Sequence, residues 1–169
     1  MADLNTEINK RAGELVSISK SEGITVGFAE SLTGGLISAS VVNVAGASAV
    51  FKGSVVSYTN EIKENVLGVP EEIIDSYTEV SEECAIAMAE GAIRVLGVDL
   101  AVSVTGIAGP TGELPGKPVG TVYFGYSYPN DHKTGAFRLN FEGDRDTIRS
   151  YTVIAALDKA IGLIKEGKA

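Results

Sequence analysis

Apolar and polar positions follow two periods along this chain, and the switches between them mark its elements. Leu4, Ile8, Leu15 and Ile18 recur at near-helical spacing, with Glu7 four residues before Arg11, which predicts an amphipathic helix over 3–21 ended by Gly23. Ile24, Val26 and Phe28 alternate as a strand. The small-residue and apolar segment 36–45 reads as a helix, and 50–58 as a second strand. Thr59 or Asn60 caps a short helix that Leu67-Gly68-Val69-Pro70 closes. Another begins at Pro70, with Glu71 and Glu72 in its first turn. Ser81 opens a helix reaching Leu96, with Ile86, Ala89, Ile93 and Leu96 on one face.

Residues 98–104 are almost wholly apolar, as in a central strand. A loop rich in Gly and Pro follows, from Thr105 to Gly120. Its junction with a buried strand favours a binding loop over disorder. Residues 121–128 and 134–141 alternate and form an antiparallel hairpin. Asp144 caps a final helix striped by Ile154, Leu157, Ile161 and Ile164. The expected fold is α/β, a three-layer α/β/α arrangement whose mixed, mostly parallel sheet carries an antiparallel hairpin. A single domain over 1–169 is expected.

Composition narrows the function. Of 169 residues, 44% are hydrophobic and 21% charged, ordinary for a globular domain. The net charge of −8, with 14 scattered basic residues, argues against nucleic acid or an anionic membrane as partner. There is no apolar run of about 18 residues, and the first residues are polar, so a cytoplasmic location is expected. Cys84 is the only cysteine and sits among small and apolar neighbours, as a buried structural thiol does. His132 is the only histidine and lies in a polar turn. A Ser-His-Asp triad and a His-rich zinc site are therefore both improbable.

The remaining chemistry gathers at strand ends. Glu30-Ser31-Leu32-Thr33-Gly34-Gly35 joins the first strand to a helix start, where N–H groups lack intrahelical partners. Ser31 could bond an anion, attack a carbonyl or merely cap the helix, as could Thr33 in the last role. Tyr58 and Lys63 follow the second strand, and Thr105-Gly106 ends the third. Arg145 stands at a helix start, where a cation is disfavoured. It either pairs with Glu142, Asp144 or Asp146 or holds an anionic ligand group.

Six blocks in order carry a resemblance. They are Ala-Glu-Ser-x-Thr-Gly-Gly (29–35), Tyr-Thr-Asn-Glu-x-Lys (58–63), Val-Ser-Glu-Glu (80–83), Val-Thr-Gly-Ile-Ala-Gly-Pro (104–110), Lys-Pro-Val-Gly-Thr-Val (117–122) and Gly-Asp-Arg (143–145). Together they resemble the C-terminal domain of the CinA competence/damage-inducible proteins, which also occurs alone as bacterial nicotinamide-nucleotide amidase. The resemblance implies hydrolysis of the nicotinamide mononucleotide carboxamide to nicotinate mononucleotide and ammonia. It implies Ser31 as nucleophile, Lys63 as general base and Tyr58 as an assisting hydroxyl. Glu30, Thr33, Gly34, Gly35, Thr105, Gly106 and Arg145 would form the substrate pocket, with the 33–35 helix start serving either oxyanion or phosphate. No metal and no cofactor are expected. The expected partners are a small nucleotide substrate and further copies of the chain, as a homodimer or higher homo-oligomer. A non-catalytic nucleotide-binding or regulatory domain is the alternative. Leu32 departs from the family, which usually has Cys there.

Overall fold

A computed structural model describes residues 3–167; Met1, Ala2, Lys168 and Ala169, the ends of the expected 1–169 unit, lie outside the described residues. The first amphipathic segment folds as α1 (Leu4–Glu22), ended by Gly23 in left-handed backbone. Then come β1 (Val26–Glu30), α2 (Leu36–Val42), β2 (Phe51–Val56), α3 (Asn60–Asn65), α4 (Glu71–Tyr77) and α5 (Glu82–Leu96). The chain closes with β3 (Leu100–Gly106), β4 (Thr121–Tyr128), β5 (Lys133–Asn140) and α6 (Arg145–Glu166). Among these residues no helix is long and apolar enough to cross a membrane.

Several boundaries differ from the pattern: β2 ends at Val56 rather than at 58, and β3 runs from Leu100 to Gly106 rather than over 98–104, taking Thr105 and Gly106 out of the expected loop as they pair with β4. β1 starts at Val26 rather than Ile24 and runs through Glu30, with all five residues buried. Both of its faces are covered, so period two does not mark its ends; the Ile24 N–H instead bonds the Ser19 carbonyl as the chain leaves α1. The second helix stops at Val42, and Gly46, at φ 86°, leads into a short 3-10 turn.

The strands lie in the order β2-β1-β3-β4-β5. β1 runs parallel to β2 and β3, while β3-β4 and β4-β5 are antiparallel. Helices α1, α2 and α6 cover one face, and α5 crosses the other. Side-chain size sorts by face. Phe28, Val102 and Phe124 enter the larger core with Leu15 and Leu157, whereas Ala29 and Ala101 meet Cys84, Met88 and Ala92 of α5. Small residues let that helix sit close: a Cβ on Gly125 would lie 2.0 Å from the Ala85 carbonyl oxygen, and Ser103 Oγ donates to the same oxygen at 2.5 Å.

The parallel register brings three strand ends together. Glu30 pairs with Val56 on one side and Val104 on the other, so β1 and β2 end at one level and β3 runs two residues further, to Gly106. α2 returns β1 to β2 on one face of the sheet, and α3 to α5 return β2 to β3 on the other. Such a reversal opens a crevice at the carboxyl ends of the strands.

Candidate active site

Ser31 follows β1 directly. Its N–H bonds the Val104 carbonyl at 3.1 Å and its carbonyl accepts from Gly34 N–H at 3.1 Å, which holds the turn against β3. Ser31 is 7% exposed at the floor of a cavity of about 280 Å³. Lys63 reaches the same floor from α3. Thr59 caps that helix by accepting from Ile62 N–H, and the Lys63 side chain turns inward to 1% exposure. Its Nζ lies 3.2 Å from Ser31 Oγ and donates to the Ser57 carbonyl at 2.8 Å. Burial pulls the Lys63 pKa below the ordinary lysine range, and the negative charge of Glu79 opposes this. Among the described residues no carboxylate lies within ion-pairing distance of Lys63. Burial likewise pushes the Cys84 thiol up to about 11, so it stays an unreactive neighbour.

Glu30 differs from its expected place. It is fully buried and does not line the cavity. Its carboxylate accepts from Thr33 Oγ1 at 2.7 Å, Gly35 N–H at 3.0 Å, Ile37 N–H at 3.1 Å and Ser38 N–H at 2.9 Å. Ser38 Oγ and Ser54 Oγ complete the set. A buried carboxylate requires donors, and the start of α2 supplies them. Thr33, Gly34 and Gly35 therefore do not line the cavity either. They wrap around Glu30, and the Gly34 and Leu36 N–H groups bond the carbonyls of Ser31 and Thr33. Among the described residues the N–H groups of Leu32 and Thr33 are the ones in this turn left without an acceptor.

Tyr58, Thr105, Gly106 and Arg145 do line the cavity. Tyr58 is 60% exposed, and its hydroxyl accepts from Arg145 at 3.3 Å rather than meeting Ser31 or Lys63. Thr105 is buried and donates to the Glu79 carbonyl at 2.7 Å, tying the end of β3 to the segment before α5. Gly106 allows β4 to approach: a Cβ there would lie 2.6 Å from the Thr121 carbonyl oxygen. Arg145 also donates to the Gly109 carbonyl at 2.7 Å, anchoring the glycine-rich loop. Its acidic neighbours are not its partners. Asp144 accepts from Thr147 N–H at 2.8 Å as the helix cap, and Asp146 faces Arg149 at 3.7 Å.

Three residues escape the sequence motifs. Ser57 orients Lys63 through a main-chain carbonyl, which carries no side-chain signal. Arg149, one helical turn after Arg145, donates to the Leu32 and Thr33 carbonyls at 2.9 Å each and grips the Ser31 turn. Glu79 is, among the described residues, the one acidic residue lining the cavity. The i,i+4 spacing of the two arginines was the available signal for Arg149.

Fold and site together define an α/β/α domain with a serine and a buried lysine near the carboxyl ends of parallel strands, at a cavity of about 280 Å³. The chain belongs to the CinA family, whose C-terminal domain model matches residues 8–164. A CinA-like protein of Dictyoglomus thermophilum is 47% identical over 165 residues, covering 90% of this chain and 40% of the relative. One of Citrifermentans bemidjiense is 48% identical over 144 residues, covering 85% and 34%. The chain thus spans well under half the length of these relatives. Solved structures match over nearly their full length. A CinA superfamily protein of Klebsiella pneumoniae 700603 superposes with a TM-score of 0.90 at 28% identity, covering 94% of this chain and 98% of the other. A competence/damage inducible protein of Agrobacterium tumefaciens gives 0.86 at 36% identity, covering 93% and 95%.

Proposed function

We propose that this domain hydrolyses the carboxamide of nicotinamide mononucleotide, with Ser31 as nucleophile and Lys63 as base. The observation that carries the reading is the 3.2 Å contact between a buried lysine without a carboxylate partner and a serine at a cavity floor. Neutral Lys63 donates one N–H to the Ser57 carbonyl, which leaves its lone pair for the Ser31 hydroxyl proton. Ser31 Oγ bonds to the carboxamide carbon as that proton passes to Lys63. The Leu32 N–H, unpaired within the described residues and on a cavity-lining residue, is a donor suited to the developing oxyanion. The intermediate collapses as Lys63 gives the proton to the leaving nitrogen, releasing ammonia and an ester on Ser31. Water, deprotonated by Lys63, then cleaves the ester to nicotinate mononucleotide and restores both residues.

The Arg145 guanidinium, exposed and without an ion pair among the described residues, suits the phosphate of such a ligand, in a chain whose net charge of −8 offers an anion no general attraction. Tyr58, held by Arg145, is available to the ligand beside it. Glu30, Thr33, Gly34 and Gly35 act indirectly, by holding the nucleophile turn. The test is ammonia release from nicotinamide mononucleotide in a coupled assay. Binding without ammonia would leave the domain as a nucleotide sensor.

A further inference from the structure

We propose that Glu79 makes the cavity selective for a ligand with a positively charged ring, binding an oxidised pyridinium in preference to its uncharged dihydro form. The inference rests on the pyridine-nucleotide reading and adds to it the charge state of the ring. Glu79 is half-buried and, among the described residues, is the one acidic residue lining the cavity. Its carboxylate has no hydrogen bond or ion pair among the described residues, whereas its main chain is firmly held. Thr105 Oγ1 donates to its carbonyl at 2.7 Å. The preceding residue, Thr78, is in left-handed backbone at φ 72°, and Lys117 Nζ ties that turn down through the Tyr77 carbonyl at 2.9 Å and Thr78 Oγ1 at 3.0 Å. The result is a residue fixed at its main chain beside the cavity, whose carboxylate has no cation partner among the described residues.

Among the described residues the cavity therefore holds two charges of opposite sign without an ion pair, Glu79 and Arg145, beside a lysine whose chemistry requires it neutral. This pattern fits a ligand with an anionic end and a cationic ring. Glu79 works against Lys63 in the empty site, because its negative charge favours the ammonium. A cationic ring beside Glu79 cancels that influence and favours the neutral amine. Ring charge thus supports both binding and the base, and an uncharged ring supports neither.

The test is calorimetric binding of nicotinamide mononucleotide and its dihydro form to the Ser31→Ala protein, which cannot turn over, with and without Glu79→Gln. The two ligands share ribose and phosphate and differ in ring charge. Ser31→Ala should prefer the oxidised ligand by about tenfold, and Glu79→Gln should erase most of that ratio, on the scale of one charge-assisted contact. A ratio unchanged by Glu79→Gln, or the absence of any preference in Ser31→Ala alone, overturns the assignment. If Glu79→Gln shifts only the pH dependence of wild-type turnover and leaves the ratio intact, Glu79 serves Lys63 alone and the proposal falls. Absence of ammonia release from the wild type with the ratio behaving as expected would sink the amidase reading and leave ring selection standing.

Discussion

Lys63 Nζ and Ser31 Oγ lie 3.2 Å apart at the floor of the cavity, brought together from α3 and the end of β1. The contact needs no histidine, since burial lowers the Lys63 pKa and favours the neutral amine that can take a proton. The amine reacts only when neutral, so activity should be low in acid and rise with pH through the lowered Lys63 pKa. That rise should come below the ordinary lysine value of about 10.4. Lys63→Arg should be nearly inactive at every accessible pH, because arginine keeps its proton. A flat pH–rate profile with an active Lys63→Arg enzyme would remove Lys63 from the chemistry.

Glu30 should behave as a structural residue. Replacing it with Ala strands the N–H groups of Gly35, Ile37 and Ser38 in a buried place. Urea unfolding should report a loss of about 3–5 kcal/mol, the scale for removing a buried, hydrogen-bonded charge. A variant of unchanged stability but raised KM would instead make Glu30 a ligand group.

Arg145 should read the phosphate. Arg145→Ala should raise KM for nicotinamide mononucleotide about tenfold, as expected for one charge-assisted contact at an exposed site. The slower reaction of nicotinamide riboside, which has no phosphate, should change little. Equal damage to both substrates would mean that Arg145 serves the loop, through Gly109 and Tyr58, more than the ligand.

Arg149 should act through the nucleophile turn. Arg149→Ala releases the carbonyls of Leu32 and Thr33, and kcat should fall by about 10- to 100-fold as Ser31 loses its alignment, with KM little changed. Arg149→Lys should recover only part of the loss, because a single ammonium does not match a fork that spans two carbonyls. Unchanged kcat in Arg149→Ala would show that the hydrogen bonds of Ser31 to Val104 and Gly34, with the Glu30 carboxylate, hold the turn without Arg149.

The residues differ in how plainly their positions could be read. The amphipathic stripes of α1 and α6, the caps at Thr59, Ser81 and Asp144, and the β4–β5 hairpin follow local rules, and the structure carries them. β1 was harder because helices cover both of its faces, which erases alternation. Ser31, Lys63 and Arg145 stand out as polar groups at element ends. Glu30 stands in the same position, yet its side chain points into the start of α2, and only the three-dimensional path of the following turn decides that. Ser57 contributes a carbonyl that any residue would have. Glu79 becomes a cavity group only because Thr105 and Lys117 hold its segment from distant parts of the chain.

The most direct measurement of the central claim compares ammonia release from nicotinamide mononucleotide by the wild-type protein and by Ser31→Ala, with nucleotide affinity measured on both. The wild type should release ammonia. Ser31→Ala should bind the nucleotide comparably and lose at least about 10³-fold in kcat, as enzymes do when a nucleophile is removed. Near-normal ammonia release by Ser31→Ala, or none from a wild type that binds the nucleotide, would contradict a Ser31–Lys63 amidase.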